Sequence, residues 1–116
     1  MGKGQVPLRR QRLRHIIVAV DKIMIFTEGT TLKDFTEDEI TQLAVIKLFE
    51  IIGEAAYKID SAFKRNHDKI DWRKIEGLRH ILVHEYYRVQ PAILWNTRNL
   101  YLPELRGTIE QMLEEE

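Results

Sequence analysis

The chain has 116 residues, of which 44% are hydrophobic and 31% charged, and its 18 basic residues are balanced by 18 acidic ones. This length accommodates one domain with a modest core, and the composition is that of a soluble globular protein. The lack of cysteine excludes disulfides and thiolate metal sites, and the neutral net charge argues against a DNA-coating role. We therefore expect one cytoplasmic domain over residues 1–116, with flexible ends at residues 1–6 and 114–116 and no membrane segment.

The first predicted helix extends from about residue 7 to residue 26 and ends before Gly29. Its apolar residues recur at spacings of three and four, as in an amphipathic helix: Leu13, Ile16, Ile17, Val20, Ile23 and Met24. Positive charge at a helix N-terminus opposes the macrodipole, so the arginines at its start do not stabilise it. They are either a contact surface for an anionic partner or a solvated charged end: Arg9, Arg10, Arg12 and Arg14.

The second helix is predicted to begin at a capping box formed by Thr36 and Glu39, with Phe35 as the staple residue. Apolar residues then continue at helical spacing from Ile40 to Phe63, which predicts one long helix. A polar stretch over residues 64–69 separates it from the next element.

Gly53 lies inside this long helix, where glycine costs about 1 kcal/mol relative to alanine. Ala55 and Ala56 follow it, so this surface has little side-chain bulk. We expect another backbone to approach closely there, from the third helix or from a second subunit. The alternative is a tolerated glycine with no special contact.

The third helix is predicted to be capped by Asp71 and to bury one stripe: Trp72, Ile75, Leu78, Leu82 and Val83. Pro91 begins a fourth helical region, and Pro103 should kink or restart it, because an interior proline lacks a backbone donor. No run alternates as a strand does. The sequence therefore predicts an all-α fold, an antiparallel bundle of four to five helices.

Arg79, His84 and Tyr86 are the residues in this third helix with the clearest chemical potential. An imidazole can move protons near neutral pH, and a guanidinium binds phosphate in a bidentate manner, so the pair suits metal-free RNA cleavage. At 100° per residue, however, Arg79 and His84 diverge by about 140°. If they cooperate, the helix must end near His84 or one partner must come from another chain. On spacing alone, a structural or surface role for both remains open.

A metal site is the competing interpretation of this helix. His80 and His84 are four residues apart and share a helix face, as in helical zinc sites. No glutamate follows the first histidine, and no motif places Glu85, Asp68 or His67 as a third ligand. We therefore expect neither a metal nor another cofactor.

The spacing Arg79-x4-His84-x-Tyr86 resembles the motif of the HepT-like toxins, which belong to the HEPN superfamily. Three flanking segments are similar to that family as well: 72–78 (WRKIEGL), 52–56 (IGEAA), and Trp95 with 102–105 (LPEL). The resemblance covers roughly residues 8–113, and the ordered set is more specific than the short motif alone.

This resemblance implies an HEPN-like homodimer whose two subunits line one cleft with their Arg and His residues. It implies a metal-independent endoribonuclease, the toxin of a type VII-like toxin–antitoxin pair, in which Arg79 holds phosphate and His84 performs acid–base work. The antitoxin would be a minimal nucleotidyltransferase that silences the toxin by attaching AMP to Tyr86. Glu54 is expected to support the site, and the N-terminal arginines would contact RNA or the antitoxin.

His80 departs from the family pattern, which commonly has asparagine or aspartate directly after the arginine. A histidine there can still form hydrogen bonds or transfer a proton, so we expect a supporting role with reduced or altered activity. The alternative function is non-catalytic: a helical nucleotide-binding or partner module that works with a separate nucleotidyltransferase chain.

Overall fold

The computed structural model describes residues 5–115. Its elements are α1 (Gln5–Phe26), α2 (Leu32–Glu37), α3 (Glu39–Lys58), α4 (Ser61–Asn66), α5 (Trp72–Glu85), a 3-10 turn (Tyr86–Arg88), α6 (Pro91–Asn96), a π-helical turn (Thr97–Tyr101) and α7 (Leu102–Glu115). Over this range every regular element is helical, which confirms the predicted all-α class. No helix within it is both long and apolar enough to cross a membrane. Residues 1–4 and 116, named in the prediction of flexible ends, lie outside the described range.

Side-chain contacts between helix ends establish the antiparallel order of the bundle. Arg9 at the start of α1 contacts Asp60 just beyond α3, with 3.0 Å between Nη1 and Oδ1. Arg106 in α7 contacts Asp21 in the last third of α1, at 2.6 Å. Lys64 contacts both the Ala56 carbonyl near the end of α3 and Glu76 in the first half of α5. Lys47 in the first half of α3 lines the same groove as Val83 in the last turn of α5. Thus α1 runs antiparallel to α3 and α7, and α3 runs antiparallel to α5.

The core lies between α1, α3, α5 and the α6–α7 region, and each contributes one apolar stripe. The largest fully buried side chains come from all of them: Leu13, Ile16, Val20, Ile23, Phe49, Ile52, Ile75, Leu82, Leu94, Leu102 and Ile109. Phe35 of α2 is also buried and packs against Trp95, with 5.3 Å between ring centroids. With α6, the π-helical turn and α7 counted as one continuous helix, the described residues form four bundle helices and two short connecting helices, α2 and α4. This confirms the predicted architecture.

The predicted start of the second helix is wrong. The capping box lies at Thr31 and Asp34, which begin the short helix α2. Thr36 is inside α2, where its hydroxyl donates to the Leu32 carbonyl at 2.8 Å. Asp38 caps α3 instead, accepting from the Thr41 backbone N–H at 3.0 Å. Asp38 is followed three residues later by threonine rather than Glu or Gln, so the capping-box pattern did not identify it.

The predicted end of that helix is also wrong, since α3 stops at Lys58 rather than continuing to Phe63. Ile59 is extended, with φ −72° and ψ 140°, and Asp60 caps α4 by accepting from the Phe63 N–H at 3.0 Å. Apolar spacing continued across the break because Ile59 and Phe63 are both buried.

The predicted buried stripe of the third helix is wrong at one position, since Val83 is 42% exposed.

Pro103 changes the helical winding without breaking the helix. The five residues before α7 form a π-helical turn, in which the Leu102 N–H bonds to the Thr97 carbonyl. This wider turn accommodates a proline, which lacks an N–H and crowds the carbonyl four residues earlier. The kink or restart predicted at Pro103 therefore takes the form of a short change from α-helical to π-helical winding, after which α7 begins.

Gly53 is the point of closest approach between α3 and α5. A Cβ atom built on Gly53 would lie 2.3 Å from Cβ of Arg79 and 3.0 Å from the carbonyl oxygen of Ile75. No side chain larger than hydrogen fits there unless the helices move apart. The close approach predicted at Gly53 is confirmed, and the neighbouring backbone is that of α5.

We predict that Gly53→Ala lowers the free energy of unfolding by about 1–3 kcal/mol, because overpacking outweighs the gain in helix propensity. Gly77→Ala is the matched control: Gly77 also lies within a helix, but a Cβ atom added to it would meet nothing within 4 Å. That control should stabilise the protein by up to about 1 kcal/mol. Urea denaturation measures both, and a Gly53→Ala variant as stable as the wild type would contradict this close packing.

Candidate functional site

Helix α5 is held in one orientation by its first turn. Asp71 accepts from the Lys74 N–H at 3.1 Å, and the Trp72 indole N–H donates to the His67 carbonyl at 2.9 Å. Trp72, Ile75 and Leu82 are buried. Because these residues fix one face against the core, the opposite side of α5 presents its polar residues outward.

Arg79 is half-buried and forms an ion pair with α3. Its Nη2 lies 2.6 Å from Oε2 of Glu54, and the two side chains are 32% and 39% exposed. The other Glu54 oxygen, Oε1, lies 3.3 Å from Nζ of Lys58. The structure therefore brings Glu54, expected as a supporting residue, into direct contact with Arg79.

His84 lies on a different side of α5 from Arg79. The helix is regular through Glu85 and passes into the 3-10 turn only at Tyr86. The two residues therefore keep the divergence of about 140° expected for a straight helix. His80, one turn before His84, places its ring 4.7 Å from the His84 ring, and both side chains are exposed. Within one chain the residues thus form two separate pairs, one of Arg79 with Glu54 and one of His80 with His84.

Tyr86 begins the 3-10 turn and is 50% exposed, while the neighbouring Tyr87 is 73% exposed. Their rings meet edge to face, with 6.0 Å between centroids. Tyr101 contrasts with both, since its hydroxyl donates to the Asp71 carbonyl at 3.3 Å. Burial raises the pKa of Tyr101 to about 12, with the charges of Asp71 and Glu104 adding to the shift. Tyr86 is therefore more exposed than Tyr101, whose hydroxyl already donates to Asp71.

The structure does not assemble the third metal ligand considered for His80 and His84. His67 stacks on Phe63, with 3.9 Å between ring centroids, and its Nδ1 lies 2.9 Å from the Phe63 carbonyl. Over the described residues, no three His, Asp or Glu side chains come close enough together to hold a metal ion.

A groove of about 380 Å³ lies where α1, α3 and α5 meet, and Arg79 forms part of its wall; we call it the Arg79 groove. Its polar lining was not predicted apart from Arg12, Glu54 and Arg79: the additional residues are His15, Lys47, Glu50 and Lys58. The signal was present in the sequence, because the α3 members recur at spacings of three and four on one helix face. His84 and Tyr86 do not line this groove.

The four N-terminal arginines, grouped together in the sequence, have different environments. Arg9 pairs with Asp60 and lies over the Phe63 ring, at 4.4 Å from its centroid. Arg10 donates to the Leu113 carbonyl at 2.8 Å. Arg12 lines the Arg79 groove, and Arg14 is exposed. Arg9 and Arg10 therefore hold the bundle together, whereas Arg12 and Arg14 face outward.

These features define a class: a small helical bundle with an arginine groove and an accessible His–Tyr helix end. Residues 16–112 match the family model described as "Ribonuclease HepT-like". The chain is 40% identical over 100 residues to "Probable ribonuclease HepT" of Thermococcus cleftensis, covering 86% of this chain and 91% of that protein. It is 33% identical over 107 residues to a protein described as "Putative RNase" of Caldanaerobacter subterraneus subsp. tengcongensis, covering 92% and 96%.

No solved structure gives a significant match. The family match covers most of the chain and includes the whole segment from Arg79 to Tyr86. The chain therefore belongs to the HepT-like ribonuclease family, as the sequence motif indicated.

We predict that Arg9→Ala lowers the free energy of unfolding at pH 7 by about 1 kcal/mol, because it removes a largely buried ion pair, whereas Arg14→Ala changes it little. Burial opposes ionisation of Asp60, but hydrogen bonds from the Phe63 N–H and Arg9 lower its pKa below the ordinary 3.8. The ion pair between Arg9 and Asp60 therefore stabilises the fold above pH 4, and this stabilisation is lost as the pH falls through the lowered pKa of Asp60.

Thermal melting of both variants from pH 7 to pH 3 measures this. An Arg9→Ala deficit that stays constant down to pH 3 would show that the ion pair with Asp60 is not its source.

Proposed function

We propose that the chain is a metal-independent endoribonuclease, the toxin of a toxin–antitoxin pair, that cleaves RNA at a site shared by two subunits. The observation that carries the proposal is the family match over residues 16–112 together with the divergence of Arg79 and His84 on α5. A straight helix separates the two residues, so a composite site would draw one from each subunit. Two-fold symmetry makes such an arrangement straightforward, because the same helix then enters the cleft twice.

The proposed reaction uses the RNA 2′-hydroxyl as the nucleophile. An imidazole of His84 accepts the hydroxyl proton while the 2′-oxygen attacks phosphorus. The bond from phosphorus to the 5′-oxygen breaks, and that oxygen takes up a proton from an imidazolium or water. The products are a 2′,3′-cyclic phosphate and a 5′-hydroxyl. The guanidinium of Arg79 stabilises the negative charge that builds on the phosphoryl oxygens.

His80 has a supporting role in this proposal. Its ring lies 4.7 Å from that of His84, so a second imidazole is available beside the first. The two rings can exchange the roles of base and acid in one cleft, since each is exposed.

We predict that Arg79→Ala and His84→Ala each reduce RNA cleavage about 100-fold or more in the presence of EDTA, because each removes a group that acts in the transition state. Cleavage of a fluorescent RNA by the purified protein measures this, with Lys33→Ala, which removes an exposed lysine of α2, as the control. Full activity of both variants would contradict the assignment. Stable binding of a nucleotidyltransferase without any cleavage by the wild type would favour the non-catalytic module.

The shared site is tested by mixing the two inactive variants and allowing subunits to exchange. Half of the resulting dimers then contain one chain of each kind, and each of these has one intact site and one doubly defective site. Cleavage should return to about a quarter of the wild-type rate. If Arg79 and His84 act within one chain, no activity returns.

We further propose that a minimal nucleotidyltransferase is the antitoxin and that it transfers AMP to Tyr86. The tyrosine oxygen attacks the α-phosphorus of ATP, pyrophosphate leaves, and the hydroxyl proton passes to a base of the transferase. The exposure of Tyr86 supports this, as does its place one residue after Glu85, where α5 ends. AMP there would add bulk and negative charge near His84, and so would repel the RNA phosphate.

We predict that Tyr86→Phe abolishes both the gain of AMP mass and the loss of ribonuclease activity on incubation with the transferase and ATP. Tyr87→Phe is the matched control, because it removes the more exposed neighbouring hydroxyl. Intact-protein mass spectrometry measures the modification. AMP addition that persists in Tyr86→Phe and disappears in Tyr87→Phe would assign it to the other residue.

A further inference from the structure

The Arg79 groove has an excess of positive charge although the chain as a whole is neutral. Its lining contains four basic side chains and two acidic ones: Arg12, Lys47, Lys58 and Arg79 against Glu50 and Glu54. His15 also lines the groove. A cleft lined by one sign of charge concentrates ligands of the opposite sign, so this groove favours an anion.

The shape of the groove favours an extended anion. Its lining follows α3 from Lys47 to Lys58, which is about 16 Å along the helix axis at 1.5 Å per residue. Apolar groups of Ile51, Ala55 and Val83 complete the lining, so one side of a ligand would lie against carbon. A single small anion would contact only part of this length, whereas a polyanionic chain could contact both ends.

Glu54 places a carboxylate between two of the cations. Its oxygens lie 2.6 Å from Arg79 Nη2 and 3.3 Å from Lys58 Nζ. Among the side chains that the structure describes, Arg12 and Lys47 have no carboxylate within 4.0 Å. A carboxylate and a phosphate present similar oxygens to a guanidinium, so Glu54 occupies the position that a phosphate would take.

We propose that the Arg79 groove binds the backbone phosphates of single-stranded RNA that flank the cleaved phosphate, and that Glu54 is the internal anion that RNA displaces. This rests on the proposed ribonuclease function, since Arg79 then joins the groove to the reacting phosphate. Arg12 and Lys47 contact flanking phosphates without regard to base, because backbone contacts carry no direct sequence information. Displacement of Glu54 frees Arg79 for the phosphate that is cleaved.

The test uses a 2′-O-methyl RNA oligonucleotide, which lacks the 2′-hydroxyl nucleophile and remains intact. Its binding to the full chain is measured by fluorescence anisotropy over a range of salt concentrations. Arg12→Ala and Lys47→Ala should each weaken binding several-fold and reduce the slope of log K against log salt by about 0.7, the value for one single-strand phosphate contact. Lys33→Ala, which removes an exposed lysine of α2 outside the groove, should match the wild type.

Glu54→Gln should tighten binding about fivefold, because it removes the competing charge and keeps the side-chain shape. Glu37→Gln, on the exposed surface of α2, is its control and should have no such effect. Should Arg12→Ala lower the melting temperature, Arg12→Gln retains most of the side-chain stem for the same measurement.

The groove proposal is overturned if Arg12→Ala and Lys47→Ala bind RNA with the affinity and salt slope of Lys33→Ala. The proposal is also overturned if these two variants leave RNA binding unchanged but weaken binding of a protein partner. If the groove variants do not weaken RNA binding but the wild type still cleaves RNA, only the groove proposal is rejected and the ribonuclease proposal is retained. Conversely, groove-dependent binding of the oligonucleotide with no cleavage of unmodified RNA would reject the ribonuclease proposal alone.

Discussion

The close contact between α3 and α5 at Gly53 determines where most other features of the molecule lie. Because Gly53 has no side chain, Cβ of Arg79 can approach the α3 backbone, and the next residue, Glu54, can reach the guanidinium. Glycine and glutamate thus act together: the first sets the spacing of the helices, and the second fixes the direction of Arg79. A helix pair held farther apart would leave Arg79 without a defined partner.

The same contact gives the two sides of α5 different environments. One side turns Arg79 toward α3 and the groove, and the other leaves His80 and His84 exposed. The helix ends directly after His84 and Glu85, so Tyr86 lies close to the imidazoles in sequence but in a 3-10 turn. A chemical step and its control by modification can therefore use one short segment, provided that a second subunit brings another Arg79 to the histidines.

The fold class and the principal helices could be predicted because apolar period, cap residues and prolines are local signals. Asp71 and Pro91 begin helices as predicted. The errors arose where two local signals competed. Thr36 matched the capping pattern, but Thr31 and Asp38 are the residues that cap α2 and α3. Apolar residues continue at helical spacing through Ile59, so the sequence pattern gave no sign that Asp60 caps a new helix. Both choices depend on tertiary contacts, as shown by the burial of Phe35 and Phe63.

The candidate site was predictable only in part. The motif identified Arg79, His84 and Tyr86, and the small residues around Gly53 indicated a close approach, but neither pattern tells which partners each side chain finds. The arginines of α1 show this most clearly, because Arg9 and Arg10 turn toward the bundle while Arg12 faces the groove. Each arginine has a different partner because each points in a different direction around the axis of α1, although all carry the same charge.

The π-helical turn before Pro103 sets the rotational phase of the C-terminal helix. In an uninterrupted α-helix, Leu94 and Leu102 would point about 80° apart, but the extra residue of a π-turn shifts this to about 20°. Both leucines are accordingly buried on one face. The number of residues between Asn96 and Leu102 is thus constrained more tightly than their identity. Loss of one would rotate the apolar stripe of α7 by about 100° away from α1 and expose it to solvent.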